Sequence, residues 1–123
     1  MDAFDADVLI YAAVPGHELG RRVLGILPGA PVTGKGPFGG IGSTLLLPEV
    51  LAKPMREGRS EEVAALAAIL ARLDLRPADE AVARLATGLA ASYRLRPMDA
   101  LHLATAVAGG ADRFVTNNRR DLP

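Results

Sequence analysis

The sequence predicts an α/β fold, a compact three-layer domain in which a short parallel sheet carries helices on both faces. Three observations predict it. Strand-like runs near 3–5, 73–76 and 113–116, with a shorter one near Ile41, alternate with helical segments, and strands separated by helices pair in parallel. Half of the 123 residues are hydrophobic but only 4% are aromatic and none is tryptophan, so the core is aliphatic and carried mostly by helices. Acidic and polar residues collect just past the strand-like runs and at helix starts, the edge on which open α/β sheets keep their sites. The length suits one domain spanning 1–123, with no internal repeat and no linker.

Ala3-Phe4-Asp5 reads as the end of a buried strand, with Asp7 expected to cap the helix that opens with Val8-Leu9-Ile10-Tyr11-Ala12. Asp5, set between Phe4 and a buried helix start, is costly as a carboxylate unless paired or metal-bound. After Pro15-Gly16, His17 to Leu27 forms an amphipathic helix with Leu19, Val23, Leu24 and Leu27 opposite Glu18, Arg21 and Arg22. His17 has no partner at ligand spacing and is read as a surface residue. Residues 28–42, PGAPVTGKGPFGGIG, are too rich in glycine and proline for a regular element and are expected to form a substrate-facing loop. Gly29 to Lys35 matches part of a phosphate-binding loop, but Gly36 stands where the metal-binding Ser or Thr belongs, so nucleotide binding through Lys35 is set aside.

Ser43 or Thr44 is expected to cap the next helix, with Pro48 in its first turn and Pro54 ending it. Glu49 lies among Leu45, Leu46, Leu47, Val50 and Leu51, so it must reach a cation or help to hold a metal. Glu57 to Ser60 reads as a turn and cap for the helix Glu61–Arg72. Leu73–Arg76 alternates as a strand, and Asp79 caps the helix Glu80–Tyr93. Pro97 suits the first turn of a helix that Gly109-Gly110 stops, and the helix dipole favours Asp99 in that turn as an ionised group. His102, one turn further on, is read as a packed histidine bonded to backbone, with contact to the site as the alternative. Arg113 to Thr116 is a short strand that leaves Thr116, Asn117 and Asn118 at its C-terminal end.

Fourteen basic and fourteen acidic residues leave no net field to draw in a polyanion, so nucleic-acid binding must rest on local patches. Without cysteine there is no disulfide, thiolate metal site or thiol nucleophile, which fits a cytoplasmic protein. The first residues carry acids and only a very short apolar run, neither a signal peptide nor a membrane span.

Asp5, Glu49 and Asp99 are each set in an apolar element and close to an element boundary. On a parallel sheet such positions fall on one edge, where the three carboxylates must take up protons or hold a hard cation. All-oxygen ligation suits Mg²⁺ or Mn²⁺, which activate water for phosphodiester hydrolysis without a covalent nucleophile.

The stretches FDADVLIYA, LLLPEV, LRPMDALHLATA and ADRFVTNNRRDL, in that order over essentially the whole chain, resemble the PIN-domain ribonucleases, most closely the VapC-type toxins of toxin–antitoxin pairs. The resemblance implies a compact α/β domain, usually dimeric, that cleaves RNA with Mg²⁺ or Mn²⁺ and is silenced by a small antitoxin protein. It implies Asp5, Glu49 and Asp99 as metal ligands and catalytic residues, with Thr116 at the strand end. Where many relatives carry a fourth aspartate this chain has Asn118, which brings no charge; Asp112 and Asp121 are candidate substitutes. That departure and the zero net charge support an alternative reading, a catalytically impaired RNA- or protein-binding module.

Overall fold

The structure, a computed structural model, describes residues 1–27 and 38–117. Four short strands, β1 (Ala3–Phe4), β2 (Gly40–Ser43), β3 (Leu73–Arg76) and β4 (Phe114–Val115), form one parallel sheet in the order β3-β2-β1-β4. Between β1 and β2 run α1 (Ala6–Ala12) and α2 (Glu18–Ile26); between β2 and β3, α3 (Leu46–Arg56) and α4 (Ser60–Leu70); between β3 and β4, α5 (Glu80–Tyr93) and α6 (Pro97–Ala108). The period-2 alternation of β1 sorts the layers. Phe4 packs into a cluster with Val8 and Leu9 of α1, Val23 of α2, Leu46 and Val50 of α3, and Leu66 and Leu70 of α4. Ala3 turns the other way, onto Ile41 of β2 and Ala106 of α6, behind which Val82 and Ala86 of α5 pack against Ala100 and Ala104. This is the three-layer α/β architecture expected from the sequence.

Several elements follow local rules closely. Asp79 accepts the N–H of Val82 at 3.0 Å and starts α5, and Pro97 stands in the first turn of α6, where its missing N–H is without cost. Others differ. The cap of α1 is Asp5, not Asp7: the Asp5 carboxylate accepts from Ala6 N, so the helix begins at Ala6, directly off β1. Neither Ser43 nor Thr44 caps α3, whose N-cap is Leu45 with no side-chain bond; Ser43 instead accepts the N–H of Leu45 and holds the chain as it leaves β2. Pro54 does not end α3, which continues to Arg56, because a proline in the last turn removes a single ladder bond. Arg59, not Ser60, is the N-cap of α4. The expected loop over 28–42 is shortened from its C-terminal side, since Gly40, Ile41 and Gly42 pair with β3 through Leu73, Asp74 and Leu75. Gly29, Gly34, Lys35 and Gly36, on which the nucleotide-loop reading rested, lie outside the described residues.

The α1–α2 corner is closely packed. A Cβ on Gly20 would stand 2.1 Å from the carbonyl oxygen of Tyr11, a backbone atom that cannot turn aside. Gly20→Ala is therefore expected to force α2 off α1 and to destabilise the fold by about 1–3 kcal/mol, as overpacking does, read as a lowered midpoint in chemical denaturation.

Candidate metal centre

The parallel register of β1 and β4, with Ala3 opposite Phe114 and Phe4 opposite Val115, sets Asp5 beside Thr116 just past the two strand ends. The Asp5 N–H donates to Val115 O at 3.0 Å, and its extended backbone (φ −82°, ψ 163°) turns the carboxylate back over the start of α1. One carboxylate oxygen accepts from Ala6 N at 2.8 Å and the other from the Thr116 hydroxyl at 2.9 Å. Asp5 is only 5% exposed. Burial pushes its pKa up; the Ala6 and Thr116 hydrogen bonds and the charge of His102 act against that, and the charge of Asp99 adds to it.

Glu49 reaches the same place from the first turn of α3, and His102 from the second turn of α6. His102 Nε2 lies 2.9 Å from Glu49 Oε1. The expectation that His102 is packed and bonded to backbone is corrected: the ring is buried at 2% exposure, but its partner is the Glu49 carboxylate, because the α6 face that meets the sheet also meets the start of α3. Nδ1 of this ring has no hydrogen-bond partner among the described residues. The one signal for His102 in the sequence is its spacing of three residues from Asp99, which puts both on one side of α6.

Ligand atoms of Asp5, Glu49 and His102 all lie within 4.8 Å of one another. An octahedral ion with bonds of about 2.1 Å separates adjacent ligands by about 3 Å and opposite ones by about 4.2 Å, so this spacing fits one divalent cation. The group gathers two carboxylates and one imidazole, and the imidazole nitrogen nearest them, Nε2, is the one bonded to Glu49 Oε1, so His102 stands here as a partner of the carboxylate. Asp99, about a quarter exposed, contributes its charge from the first turn of α6, with Arg96 Nε 4.0 Å from its carboxylate. Asn118 and Asp121 lie outside the described residues. Asp112, a candidate substitute for the fourth aspartate, pairs with the amino terminus.

Asp7, taken in the sequence for a cap, borders the centre instead. Its carboxylate accepts from Val8 N at 2.7 Å and from Asn117 N at 3.2 Å, tying α1 to the end of β4. Burial raises its pKa, and the charges of Asp5 and Glu49 raise it further, while the two backbone N–H groups oppose the shift. The edge of the sheet thus concentrates negative charge in a chain that is neutral as a whole.

The PIN domain family matches residues 3–122, and the chain belongs to that family. No curated protein and no solved structure shows significant similarity to it. PIN domains are a nuclease fold and generally act with a divalent metal, which agrees with the chemistry of the donors gathered here.

The raised pKa of Asp5 sets a pH dependence for protein stripped of divalent ions. The folded carboxyl holds its proton to higher pH than the unfolded one, so its contribution is most favourable below the ordinary value of 3.8 and is lost as pH rises through the folded pKa. Asp5→Asn is expected to raise the melting temperature at neutral pH, with the gain shrinking as pH falls towards 4. Melting temperatures of both proteins across that range check it.

Proposed function

We propose that this chain is a divalent-metal-dependent endoribonuclease and the toxin of a VapBC-type toxin–antitoxin pair. The observation that carries the first part is the convergence of Asp5, Glu49 and His102 at the sheet edge of a PIN domain, with Asp99 in electrostatic reach. The second part is supported by the four stretches that resemble VapC-type toxins, among them LRPMDALHLATA around Asp99.

Asp5, Glu49 and Asp99 would hold the ion, Mg²⁺ or Mn²⁺. When bound, it would make a coordinated water acidic enough to attack a phosphodiester and would offset charge on the phosphoryl oxygens. The protein's own groups have separate tasks. Ala6 N–H and the Thr116 hydroxyl fix both oxygens of Asp5, so the carboxylate is preorganised. His102 holds Glu49 through Nε2 in the way outer groups orient metal ligands. No serine or cysteine nucleophile is required, in keeping with a chain that contains no cysteine. Thr116 serves as polar support at the end of β4, and the resemblance gives the same part to Asn118, which lies outside the described residues.

Incubation of structured and single-stranded RNA with the protein and Mg²⁺ or Mn²⁺ tests this reading. Wild type is expected to cut internally and to stop when the metal is chelated; Asp5→Asn, Glu49→Gln and Asp99→Asn are expected to lose detectable cleavage. His102→Gln is expected to weaken Mn²⁺ binding in calorimetry by roughly 10–100-fold, as loss of a ligand-orienting partner does. Mn²⁺ binding with no cleavage of any RNA would favour the impaired binding module.

The toxin assignment carries its own expectations, a homodimer and a small antitoxin that covers the acidic edge with a basic or apolar segment. Co-expression with the product of an adjacent short gene, followed by co-purification and sedimentation, checks both; a chain that purifies alone and stays monomeric argues for a nuclease of another role.

A further inference from the structure

One turn beyond Asp7 on the same face of α1 stands Tyr11, and its ring stacks on that of His17, with centroids 4.7 Å apart and planes within 10° of parallel. It is the one aromatic stack among the described residues. The pair is not core: both rings are partly exposed, whereas Phe4 is buried. Both are also held in place. His17 Nδ1 accepts the N–H of Gly20 at 3.2 Å and caps α2, which leaves the ring proton on Nε2. The α1–α2 contact at Gly20, too tight for a Cβ, fixes the backbone beneath Tyr11. The exposed aromatics Phe38 and Tyr93 stack on no other ring among the described residues, and Phe38 precedes β2, at the sheet edge opposite Asp5.

We infer that the Tyr11–His17 stack is a platform for an unpaired nucleobase of the RNA strand whose backbone lies at the acidic centre. The inference rests on the ribonuclease reading and deepens it by assigning a base-binding subsite. Its position suits the task. From Asp5, six residues of α1 at about 1.5 Å each place Tyr11 about 9 Å along the helix axis, roughly two to three nucleotides at the 3.4 Å rise of stacked bases. Its chemistry suits it as well. Acids at the catalytic edge repel phosphates there, so stacking of bases is a useful source of affinity, and aromatic faces bind unstacked bases without reading their sequence. Two rings already ordered lose little freedom when a base lies down on them. One stacked base raises affinity roughly 5- to 150-fold.

The test uses the full chain with Ca²⁺ in place of Mg²⁺, and a short unstructured RNA carrying the fluorescent base 2-aminopurine at one position, moved along the strand. His17→Asn keeps an N-cap acceptor and removes the ring; Tyr11→Leu keeps apolar bulk and removes the π face. Fluorescence is expected to be quenched at one or two positions in wild type and restored in both variants. Affinity is expected to fall by the factor given above. An abasic nucleotide at the quenched position should weaken wild-type binding equally and the variants no further. Additive losses, or binding that neither variant changes, would make the stack a clamp between α1 and α2 and overturn the proposal. Should a variant fail to fold, the abasic scan on wild type decides alone: no position-dependent loss sinks the platform. Cleavage without quenching removes the platform and leaves the nuclease; quenching without metal-dependent cleavage removes the nuclease chemistry and leaves the platform.

Discussion

The structure depends on a buried negative charge. Asp5 lies at the junction of β1 and α1 almost out of solvent, where an uncompensated carboxylate would cost several kcal/mol. Its compensation comes from two segments distant in sequence and one adjacent: the first N–H of α1, the hydroxyl of Thr116 111 residues further on, and the imidazole of His102. None of this works unless β1 and β4 are parallel and in register, since a slip of one residue would point Asp5 to the other face. The register of a two-residue strand is weakly specified by its own pairing. Here the alternation of Ala3 and Phe4 between two different helical layers specifies it, so the aliphatic packing on both faces positions the charge.

That division explains what could be read from the chain and what could not. Helical periodicity and turn chemistry are local, so α5 with its Asp79 cap and α6 with Pro97 and Gly109-Gly110 were legible to the residue. So were the strand Leu73–Arg76 and the parallel α/β class. The acids Asp5 and Glu49 stood out because a charge in an apolar element needs a partner, and their meeting followed from the topology. The partner itself was not legible. Whether His102 faces backbone or Glu49 depends on how α6 lies against α3 across the sheet, and that angle is set by side-chain volumes such as those of Ala104 and Ala106, which spacing does not encode. The exchange of roles between Asp5 and Asp7 has the same origin. Both are good capping residues one turn apart or less, and the choice was made by β1, which ends so close to α1 that only Asp5 can reach Ala6 N.

Neutral composition also concealed the field at the sheet edge. Arg22 with Glu18, Arg84 with Glu80, Arg76 with Asp74 and Arg113 with Asp2 form exposed pairs that cancel close to where they stand. Such pairs add little stability. Their consequence is spatial: these arginines are matched on the outer surface, while Asp5, Asp7, Glu49 and Asp99 share one edge; burial pushes the carboxyls of Asp5 and Asp7 up, and the neighbouring acids add to that. An empty acidic edge destabilises the fold and a bound cation relieves it, so the same groups that cost stability supply metal affinity.

The choice of histidine beside Glu49 fits that coupling. An arginine or lysine there would keep its positive charge, form a permanent ion pair with Glu49 and repel an incoming cation. An imidazole can orient the carboxylate through one N–H and carries no permanent charge of its own. Its burial between the sheet and α6 prevents it from swinging away when the carboxylate moves. Holding a charged group in place without neutralising it is what a hydrolytic metal centre requires of its surroundings, and in this fold the position three residues after Asp99 is the one from which α6 can do so.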